Sequence, residues 1–308
     1  MRIIFMGTPD FAVGTLAAIK EAGHDIALVV TQPDKPKGRS GRLQMSDVKE
    51  YAVAHGLEVY QPEKIKTPEA VARLKEYAPE LIVVAAFGQI LSKEILDMPE
   101  YGCINVHASL LPRWRGASPI QSAILEGDSK TGVTIQQMGE GLDTGDILSQ
   151  SSIVIEPTDT GGSLFDKLAH IGATLATRTI DDIANGRIQA VPQEEEKASY
   201  AKKIDKSMGH IDWSRSADII ERQIRALDPW PSAYTYLDGR MLKVWKPGTG
   251  EDTGAPCGTV CEVGKDAFTV ACGGGSLIIK EVQLEGKKRM AVRDFLLGCR
   301  ISEGTVLS

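Results

Sequence analysis

The sequence lacks several features that mark common classes of protein. Its five cysteines form no Cys-x-x-Cys pair, which argues against a zinc site or a disulfide framework and favours reduced thiols. No apolar run approaches the roughly 20 residues that a membrane-spanning helix needs. The first predicted strand begins at residue 2, so we expect no signal peptide. Together these absences predict a cytoplasmic protein that binds neither a membrane nor a metal ion.

The chain also lacks an excess of positive charge. Its 308 residues carry a formal net charge of −6, so any contact with nucleic acid must use a local basic patch. Residues 208–308 hold 13 basic and 13 acidic side chains, so the whole negative excess lies before them. The C-terminal third is therefore the relatively basic part of the chain, and its lysines include Lys243 and Lys246.

Two glycine-containing segments could bind a nucleotide, but neither has the sequence motif of a common nucleotide-binding site. The turn after the first strand contains Gly7 but no Gly-x-Gly-x-x-Gly, which argues against a nicotinamide dinucleotide. Segment 32–43 is basic and rich in glycine and proline, but it lacks the Gly-Lys-Ser/Thr ending of a phosphate-binding loop. It is predicted to be a long mobile loop whose basic side chains either hold phosphates or are simply solvated. These side chains are Lys35, Lys37, Arg39 and Arg42.

The sequence does contain an alternation of strand and helix patterns. A strand at 2–6, a helix at 11–21 and a second strand at 26–31 form a βαβ opening, which predicts a parallel sheet. The six apolar residues 81–86 predict a central strand of that sheet. Further strands are predicted at 57–60, 103–106, 132–138 and 147–155, and further helices at 46–55, 68–77, 119–126 and 163–185.

The composition changes near residue 190. Polar and charged residues run from there to about 207, which is typical of a linker. One helix near 216–227 and several short strands follow, and this pattern predicts a small β-barrel. The short strands are predicted at 233–237, 241–245, 257–263, 267–271 and 276–284.

A polar pair ends one of the predicted strands. Asn105 and His107 lie two residues apart, so on a strand their side chains point to the same face. A loop with Pro112 and Gly116 follows them. Open α/β sheets bind ligands where strands end and loops begin, so this stretch is a candidate site. A polar strand end with a satisfied histidine would give the same pattern.

A glycine-rich segment at 139–146 supplies Asp143 and Asp146, although either aspartate could simply form a turn with its own backbone. An asparagine amide and a histidine N–H can stabilise an oxyanion. An aspartate can orient or charge the histidine, or accept a proton from an attacking amine. No serine or cysteine has the context of a nucleophile elbow. The combination therefore indicates direct acyl transfer from an amide-like donor to an amine.

These two segments resemble a known family. Residues 105–112, Asn-Val-His-Ala-Ser-Leu-Leu-Pro, resemble the signature of the formyltetrahydrofolate-dependent formyltransferases. Residues 141–147, Gly-Leu-Asp-Thr-Gly-Asp-Ile, resemble its partner motif. Over essentially the whole chain the sequence is similar to the methionyl-tRNA formyltransferases, with further matching segments at 6–11, 31–36, 211–213 and 228–231.

The resemblance implies a fold and a reaction. The implied fold class is α/β, with a Rossmann-like open parallel-rich sheet in residues 1–189, a linker in 190–207 and a small C-terminal OB-like β-barrel domain in 208–308 that binds tRNA. The implied reaction transfers the formyl group of 10-formyltetrahydrofolate, a co-substrate, to the free amino group of methionyl initiator tRNA. It needs no metal, and we expect the protein to be monomeric.

The resemblance also implies site residues, and the catalytic ones are Asn105, His107 and Asp143. The expected folate-binding residues are Ser109, Leu110, Leu111, Pro112, Phe87, Gly88, Gln89 and Ile90. The expected tRNA-binding residues are Lys35, Lys37, Arg39, Arg42, Lys243 and Lys246. The sequence departs from the family pattern at Phe87, where a tyrosine is more usual, and at Ala108, where a glycine is frequent.

Three alternatives remain open. A formyltransferase for a small nucleotide or sugar substrate shares the catalytic domain but has no need for residues 208–308. A formyltetrahydrofolate hydrolase shares the same domain. A non-catalytic module that binds nucleic acid would explain the barrel and the basic loop, but it leaves the Asn-His-Asp combination unexplained.

Overall fold

The structure is a computed structural model that describes residues 1–37 and 42–308. Within these residues the chain forms two compact units. The first unit comprises Met1–Pro119, Lys130–Val154 and Phe165–Ala201, and the second comprises Ile120–Ser129, Ile155–Leu164 and Lys202–Ser308. The second unit is thus built mainly, but not solely, from the C-terminal third of the chain.

A seven-stranded sheet forms the centre of the first unit. The strands of this unit are β1 (Arg2–Gly7), β2 (Asp25–Val30), β3 (Lys35–Lys37), β4 (Arg42–Gln44), β5 (Val59–Tyr60), β6 (Leu81–Ala85), β7 (Cys103–His107), β8 (Arg115–Gly116), β9 (Lys130–Gln137), β10 (Ile147–Val154) and β11 (Tyr200–Ala201). The sheet has the order β10-β9-β7-β6-β1-β2-β5. The strands from β7 to β5 are parallel, whereas β9 and β10 each run antiparallel to their neighbour. The predicted parallel-rich open sheet is confirmed.

Six helices lie before residue 190, and local signals mark the start of some of them. They are α1 (Asp10–Glu21), α2 (Asp47–Ala54), α3 (Pro68–Glu76), α4 (Lys93–Leu96), α5 (Pro119–Leu125), which lies almost wholly in the second unit, and α6 (Gly161–Ala184). The Ser46 hydroxyl caps α2 and the Thr67 hydroxyl caps α3, each by accepting a backbone N–H of the first turn. All residues of β6 are buried, as expected for a central parallel strand covered on both faces.

Segment 32–43 differs from the predicted loop at both ends. β3 and β4 pair antiparallel, with Lys35 opposite Gln44 and Lys37 opposite Arg42. Two short extended segments joined by a glycine-containing connection can close a hairpin, and the prediction overlooked this. Residues 38–41, including Arg39, lie outside the described part of the chain.

The C-terminal third forms a small β domain around one core. Its elements are α7 (Ala217–Ala226), β12 (Ala233–Leu237), β13 (Arg240–Val244), β14 (Pro247–Gly250), β15 (Val260–Val263), β16 (Phe268–Ala271), β17 (Ser276–Ile279), β18 (Glu281–Leu284), β19 (Met290–Ala291) and α8 (Val292–Leu296). Two antiparallel sheets, β12-β13-β18-β19 and β14-β17-β16-β15, bury a shared set of apolar side chains that includes Leu242 and Phe268. The predicted small β domain is confirmed.

The predicted single strand at 276–284 is wrong. It is two strands, β17 and β18, which belong to different sheets. The change of sheet occurs at Lys280, whose N–H donates to the carbonyl of Lys246. Such a corner lets one extended segment serve two sheets, and it is typical of closed β domains. The apolar pattern continues through the corner, so the sequence alone does not reveal it.

No helix in residues 1–37 and 42–308 combines the length and the apolar composition needed to cross a membrane.

Candidate active site

Two neighbouring antiparallel strands place the polar residues of the site on one face of the sheet. On β7 and β9, Asn105 lies opposite Gln136, and His107 lies opposite Thr134. Directly opposite residues of an antiparallel pair share a face, so these four side chains form one polar patch. Asn105 and His107 were predicted from the sequence, whereas Gln136 was not. A signal was present, because Thr134 and Gln136 alternate with the apolar residues Val133 and Ile135.

Asp143 lies against this patch and accepts hydrogen bonds on both carboxylate oxygens. Oδ1 accepts from the Gln136 amide at 2.8 Å and from the Asn105 amide at 3.5 Å. Oδ2 accepts from the backbone N–H of Gly116 at 2.8 Å and lies 3.7 Å from Nδ1 of His107. The structure therefore brings Asn105, His107 and Asp143 together around one carboxylate. Asp146, the other candidate of the glycine-rich segment, is not part of this group of contacts.

The His107 ring is buried and has a defined orientation. Its Nε2 lies 2.9 Å from the carbonyl oxygen of Trp114. A carbonyl oxygen only accepts, so Nε2 must carry a hydrogen. Nδ1 is thus the ring nitrogen that faces the Asp143 carboxylate.

The predicted folate-binding loop after β7 is held by its own neighbours. The buried Ser109 hydroxyl donates to the Arg113 carbonyl at 2.7 Å, and the Thr134 hydroxyl donates to the Ser109 carbonyl at 2.6 Å. The Leu111 N–H in turn donates to the Thr134 hydroxyl at 3.1 Å. Ser109 and Leu111 are buried, whereas Leu110 and Pro112 are half-exposed. Only the last two side chains therefore present surface to a ligand.

The loop after β6 is similarly fixed. Phe87 is buried, and its carbonyl accepts from Thr8 at 3.1 Å and from Gln32 at 3.0 Å. Gly88 has a φ of 82°, and a Cβ there would lie 2.6 Å from the Gln32 amide nitrogen. Both amide atoms of Gln89 bond the backbone of residues 62 and 65. Ile90, which is 82% exposed, offers the accessible apolar surface of this loop.

The base of the β3–β4 hairpin is tied to this loop. Lys35 is exposed, and its ammonium donates to Gln32 at 2.7 Å. Hydrogen bonds from Gln61 and Lys49 lower the pKa of Asp34, which anchors the start of the hairpin. The side chains of Lys37, Arg39 and Arg42 lie outside the part of the chain that the structure describes, so their proposed role stays a prediction.

The remaining predicted tRNA-binding residues lie in the second unit. Lys243 is half-exposed on β13, opposite Tyr234 and Gln283, and its ammonium lies 5.8 Å from the centre of the Trp245 ring. The Arg289 guanidinium lies over the same ring at 4.5 Å. Lys246 is exposed just after β13. Lys243 and Arg289 thus lie over the buried Trp245 ring, and together with Lys246 they form a basic surface.

The described residues contain no group of three or more His, Cys, Asp or Glu side chains arranged to hold a metal ion. The five cysteines are unpaired thiols.

The chain is similar in sequence to known formyl transferases. A family model described as formyl transferase matches residues 1–180, and one described as formyl transferase, C-terminal domain, matches residues 203–300. The chain is 54% identical over 307 residues to the methionyl-tRNA formyltransferase of Agathobacter rectalis, covering 99% of each protein. It is 52% identical over 313 residues to that of Lachnospira eligens, covering 100% of this chain and 99% of the relative.

A solved structure shares the fold at lower identity. It is the N-formyltransferase from Helicobacter canadensis in complex with folinic acid and dTDP-3-aminofucose, with a TM-score of 0.67 and 22% identity. The match covers 90% of this chain and 98% of that one.

Proposed function

This chain belongs to the formyl transferase family, and from that premise we propose that it transfers the formyl group of 10-formyltetrahydrofolate to the free amino group of methionyl initiator tRNA. The full-length similarity to two bacterial methionyl-tRNA formyltransferases, second domain included, favours this acceptor over a small sugar or nucleotide. The observation that carries the chemistry is the convergence of Asn105 and His107 on the carboxylate of Asp143.

The reaction makes one bond and breaks another. The amine nitrogen of the methionyl group bonds to the formyl carbon, and the carbonyl electron pair moves onto oxygen. When that pair returns, the bond from the formyl carbon to the folate nitrogen breaks. The amine loses one proton and the leaving nitrogen gains one, so no net proton is consumed and no oxidant or reductant is needed.

Asn105 and His107 stabilise the oxyanion in this proposal. The Asn105 amide has two hydrogens and uses one on Asp143, so the other is available to the substrate. His107 uses its Nε2 hydrogen on the Trp114 carbonyl, so its contribution comes from a protonated Nδ1. Donors that are already held in place stabilise developing charge without reorganisation during the reaction.

Asp143 has two roles in this proposal. Its Oδ2 lies 3.7 Å from Nδ1 and orients the His107 ring, and a carboxylate oxygen accepts the proton that the amine loses. The donors from Gln136 and Gly116 hold the carboxylate in place for both roles.

Folate would contact the two loops that follow β6 and β7. Ligand sites for flat heteroaromatic molecules combine apolar surface with a few placed polar groups. Ile90, Leu110 and Pro112 supply accessible apolar surface here, and the surrounding backbone supplies polar groups. We assign Ser109, Leu111, Phe87 and Gln89 to shaping these loops, because their side chains are buried or bonded within them.

We further propose that residues 1–189 form the catalytic domain, 190–207 connect the domains, and 208–308 bind tRNA. Two sets of basic residues would meet its phosphates: Lys35, Lys37, Arg39 and Arg42 in segment 32–43, and Lys243 and Lys246 in residues 208–308. The protein would work as a monomer in the cytoplasm, where its five unpaired thiols stay reduced.

The test is formyl transfer by the purified protein with 10-formyltetrahydrofolate and one acceptor at a time. The acceptors are methionyl initiator tRNA, the same tRNA without methionine, and a dTDP-amino sugar. We expect tetrahydrofolate to form only with the charged tRNA. Turnover with the amino sugar would replace this proposal by a sugar enzyme, and turnover with no acceptor would replace it by a hydrolase.

A further inference from the structure

The segment that joins the two domains lies against the catalytic residues. We call residues 191–201 the connector segment. Near its end, Tyr200 and Ala201 pair as β11 with Arg115 and Gly116 of β8. At its start, Val191 and Ile147 exchange two backbone hydrogen bonds, at 2.8 and 2.9 Å. Both ends are therefore fixed, one to the loop after β7 and the other to the strand that follows the Asp143 loop.

Gln193 of the connector segment holds the backbone of the Asp143 loop. Its side-chain nitrogen donates to the carbonyl of Asp143 at 2.9 Å and to the carbonyl of Gly145 at 2.7 Å. These two bonds use both amide hydrogens. One side chain thus fixes the loop on either side of Thr144.

Arg115 decides which way the Gln193 amide points. Its Nε donates to the Gln193 side-chain oxygen at 3.1 Å. Arginine has donors only, so the amide cannot turn over, and its nitrogen must face the two carbonyls. The Arg115 side chain is fully buried, and its other two nitrogens bind the carboxylate of Glu195 at 3.0 and 2.9 Å. These bonds lower the pKa of Glu195, so its carboxylate stays ionised at neutral pH.

The loop needs such support because its backbone is strained. Asp143 has a φ of 51°, in the left-handed region that residues with a side chain rarely adopt. Such conformations persist only when the surroundings stabilise them. Gly145 is also packed tightly, since a Cβ there would lie 1.6 Å from the Gln137 carbonyl oxygen. The Gly116 N–H binds the Asp143 carboxylate, and Gln193, which Arg115 orients, binds the Asp143 main chain.

We propose that Gln193, oriented by Arg115 and Glu195, is a positioning residue that holds Asp143 in its catalytic geometry, so that the connector segment is part of the catalytic apparatus. This inference rests on the proposed function, because it assumes that Asp143 acts in formyl transfer. Gln193 itself contacts no reacting group.

The main test replaces Gln193 by glutamate in the full-length protein. Gln193→Glu keeps the acceptor for Arg115 but turns the donor into an oxygen that repels both carbonyls. We expect kcat to fall by up to about 10²-fold, the cost of a misplacement near 1 Å, with both KM values within about twofold of the parent. Gln193→Ala, which adds no charge, should show a loss of the same kind. Gln189→Glu is the matched control, because Gln189 is exposed on the preceding segment and should tolerate the change.

A double-mutant cycle separates positioning from general stability. Single-turnover rates at high enzyme concentration are measured for Gln193→Glu, Asp143→Asn and the double variant. If Gln193 acts through Asp143, its replacement should cost little once Asp143→Asn is present. If the fold-losses in rate of the two single variants instead multiply in the double variant, the two residues act independently and the inference is overturned. A parental rate for Asp143→Asn alone would instead overturn the catalytic role of Asp143 in the proposed function.

A second variant covers the case in which Gln193→Glu fails to fold. Glu195 is 73% exposed, so Glu195→Gln should fold, yet it replaces one oxygen of the carboxylate that holds Arg115 by a donor. We expect a smaller fall in kcat, with KM and melting temperature unchanged and Glu196→Gln at the parental rate. A parental kcat in both Gln193→Glu and Glu195→Gln would refute the inference while leaving the proposed function intact.

Discussion

Only one of the two ring nitrogens of His107 is available to a substrate, because the other is bound to the Trp114 carbonyl. Nδ1 faces a carboxylate, and the carboxylate in turn faces the Asn105 amide. The His107 ring and the Asn105 amide therefore each have only part of their hydrogen-bonding capacity left for a substrate. At the scale of single residues, what the site can do depends on which hydrogen-bonding atoms of these residues remain available to a substrate.

The first prediction concerns Asn105. Asn105→Ala removes one oxyanion donor and one of the two donors to Asp143 Oδ1, while Gln136 still holds that oxygen. We expect kcat to fall by about 10²–10³-fold, the usual effect of losing such a donor, with the KM for 10-formyltetrahydrofolate near the parental value. Single-turnover formyl transfer measures it. A rate close to the parent would remove Asn105 from the chemistry.

The second prediction concerns the thiols. Burial raises the pKa of Cys103 to about 12 and that of Cys272 to about 11, whereas Cys257 is exposed. Because only the thiolate reacts, we expect iodoacetamide at pH 8 to label Cys257 first and to reach Cys103 and Cys272 only after unfolding. A mass-spectrometric time course with and without denaturant measures this.

The same shifts predict a loss of stability in alkali. A thiol with a raised pKa in the folded state keeps its proton more tightly there than in the unfolded chain. Its contribution is complete below the unfolded pKa near 8.5 and is lost as the pH rises from there towards about 12. Cys103→Ala should weaken this alkaline dependence of the melting temperature. Equal labelling of Cys103 and Cys257 in the folded protein would contradict the burial argument.

At the scale of elements, the segment that contains β3 and β4 is proposed to contact tRNA phosphates. Its base is anchored through Asp34 and Gln32, and Gln32 also binds the loop that carries Ile90. The proposed tRNA contact of this segment rests on its basic residues and on its start beside the loop that follows β6.

The third prediction is that the hairpin binds tRNA phosphates. In Arg39→Ala with Arg42→Ala, we expect weaker tRNA binding and a salt dependence flatter by roughly one unit of slope per lost contact. Formylation rate and tRNA affinity are measured across a salt series, with folate affinity as the internal control. Lys20→Ala with Lys130→Ala removes the same charge from exposed positions elsewhere. If both double variants behave alike, the hairpin has no specific role.

At the scale of the whole molecule, charge is divided unequally between the two parts of the chain. The negative excess lies before residue 208, and the second domain is neutral overall. A polyanionic substrate is therefore repelled less by the second domain, where Lys243, Arg289 and Trp245 lie side by side. This division is consistent with the proposal that residues 208–308 bind tRNA and residues 1–189 perform the transfer.

The fourth prediction tests that division. In Lys243→Ala with Lys246→Ala, we expect the KM for tRNA to rise and the salt slope of binding to flatten, while kcat at saturating tRNA stays near the parental value. Lys265→Ala with Arg300→Ala is the control, because both residues are exposed in the same domain. An unchanged KM for tRNA in the first variant would remove Lys243 and Lys246 from the tRNA surface.

Local patterns in the sequence account for most of the elements and for part of the site. Apolar periodicity and capping hydroxyls such as Ser46 and Thr67 act within a few residues, so the seven strands of the large sheet and the helices α1, α2, α3 and α6 are found close to their predicted positions. The two-residue spacing of Asn105 and His107 likewise places both on one face of β7. Apolar periodicity and helix capping are properties of short segments, and they do not depend on residues far away in the sequence.

Contacts between distant segments depended on the tertiary structure. Gly116 and Gln193 lie 27 and 50 residues from Asp143 along the chain, and only the folded sheet and connector bring them to it. The same holds for the His107 hydrogen bond that fixes its tautomer and for the change of sheet at Lys280. A polar residue in a linker and one in a catalytic framework have the same local pattern. What distinguishes them is the set of partners that packing supplies, and packing depends on the whole chain at once.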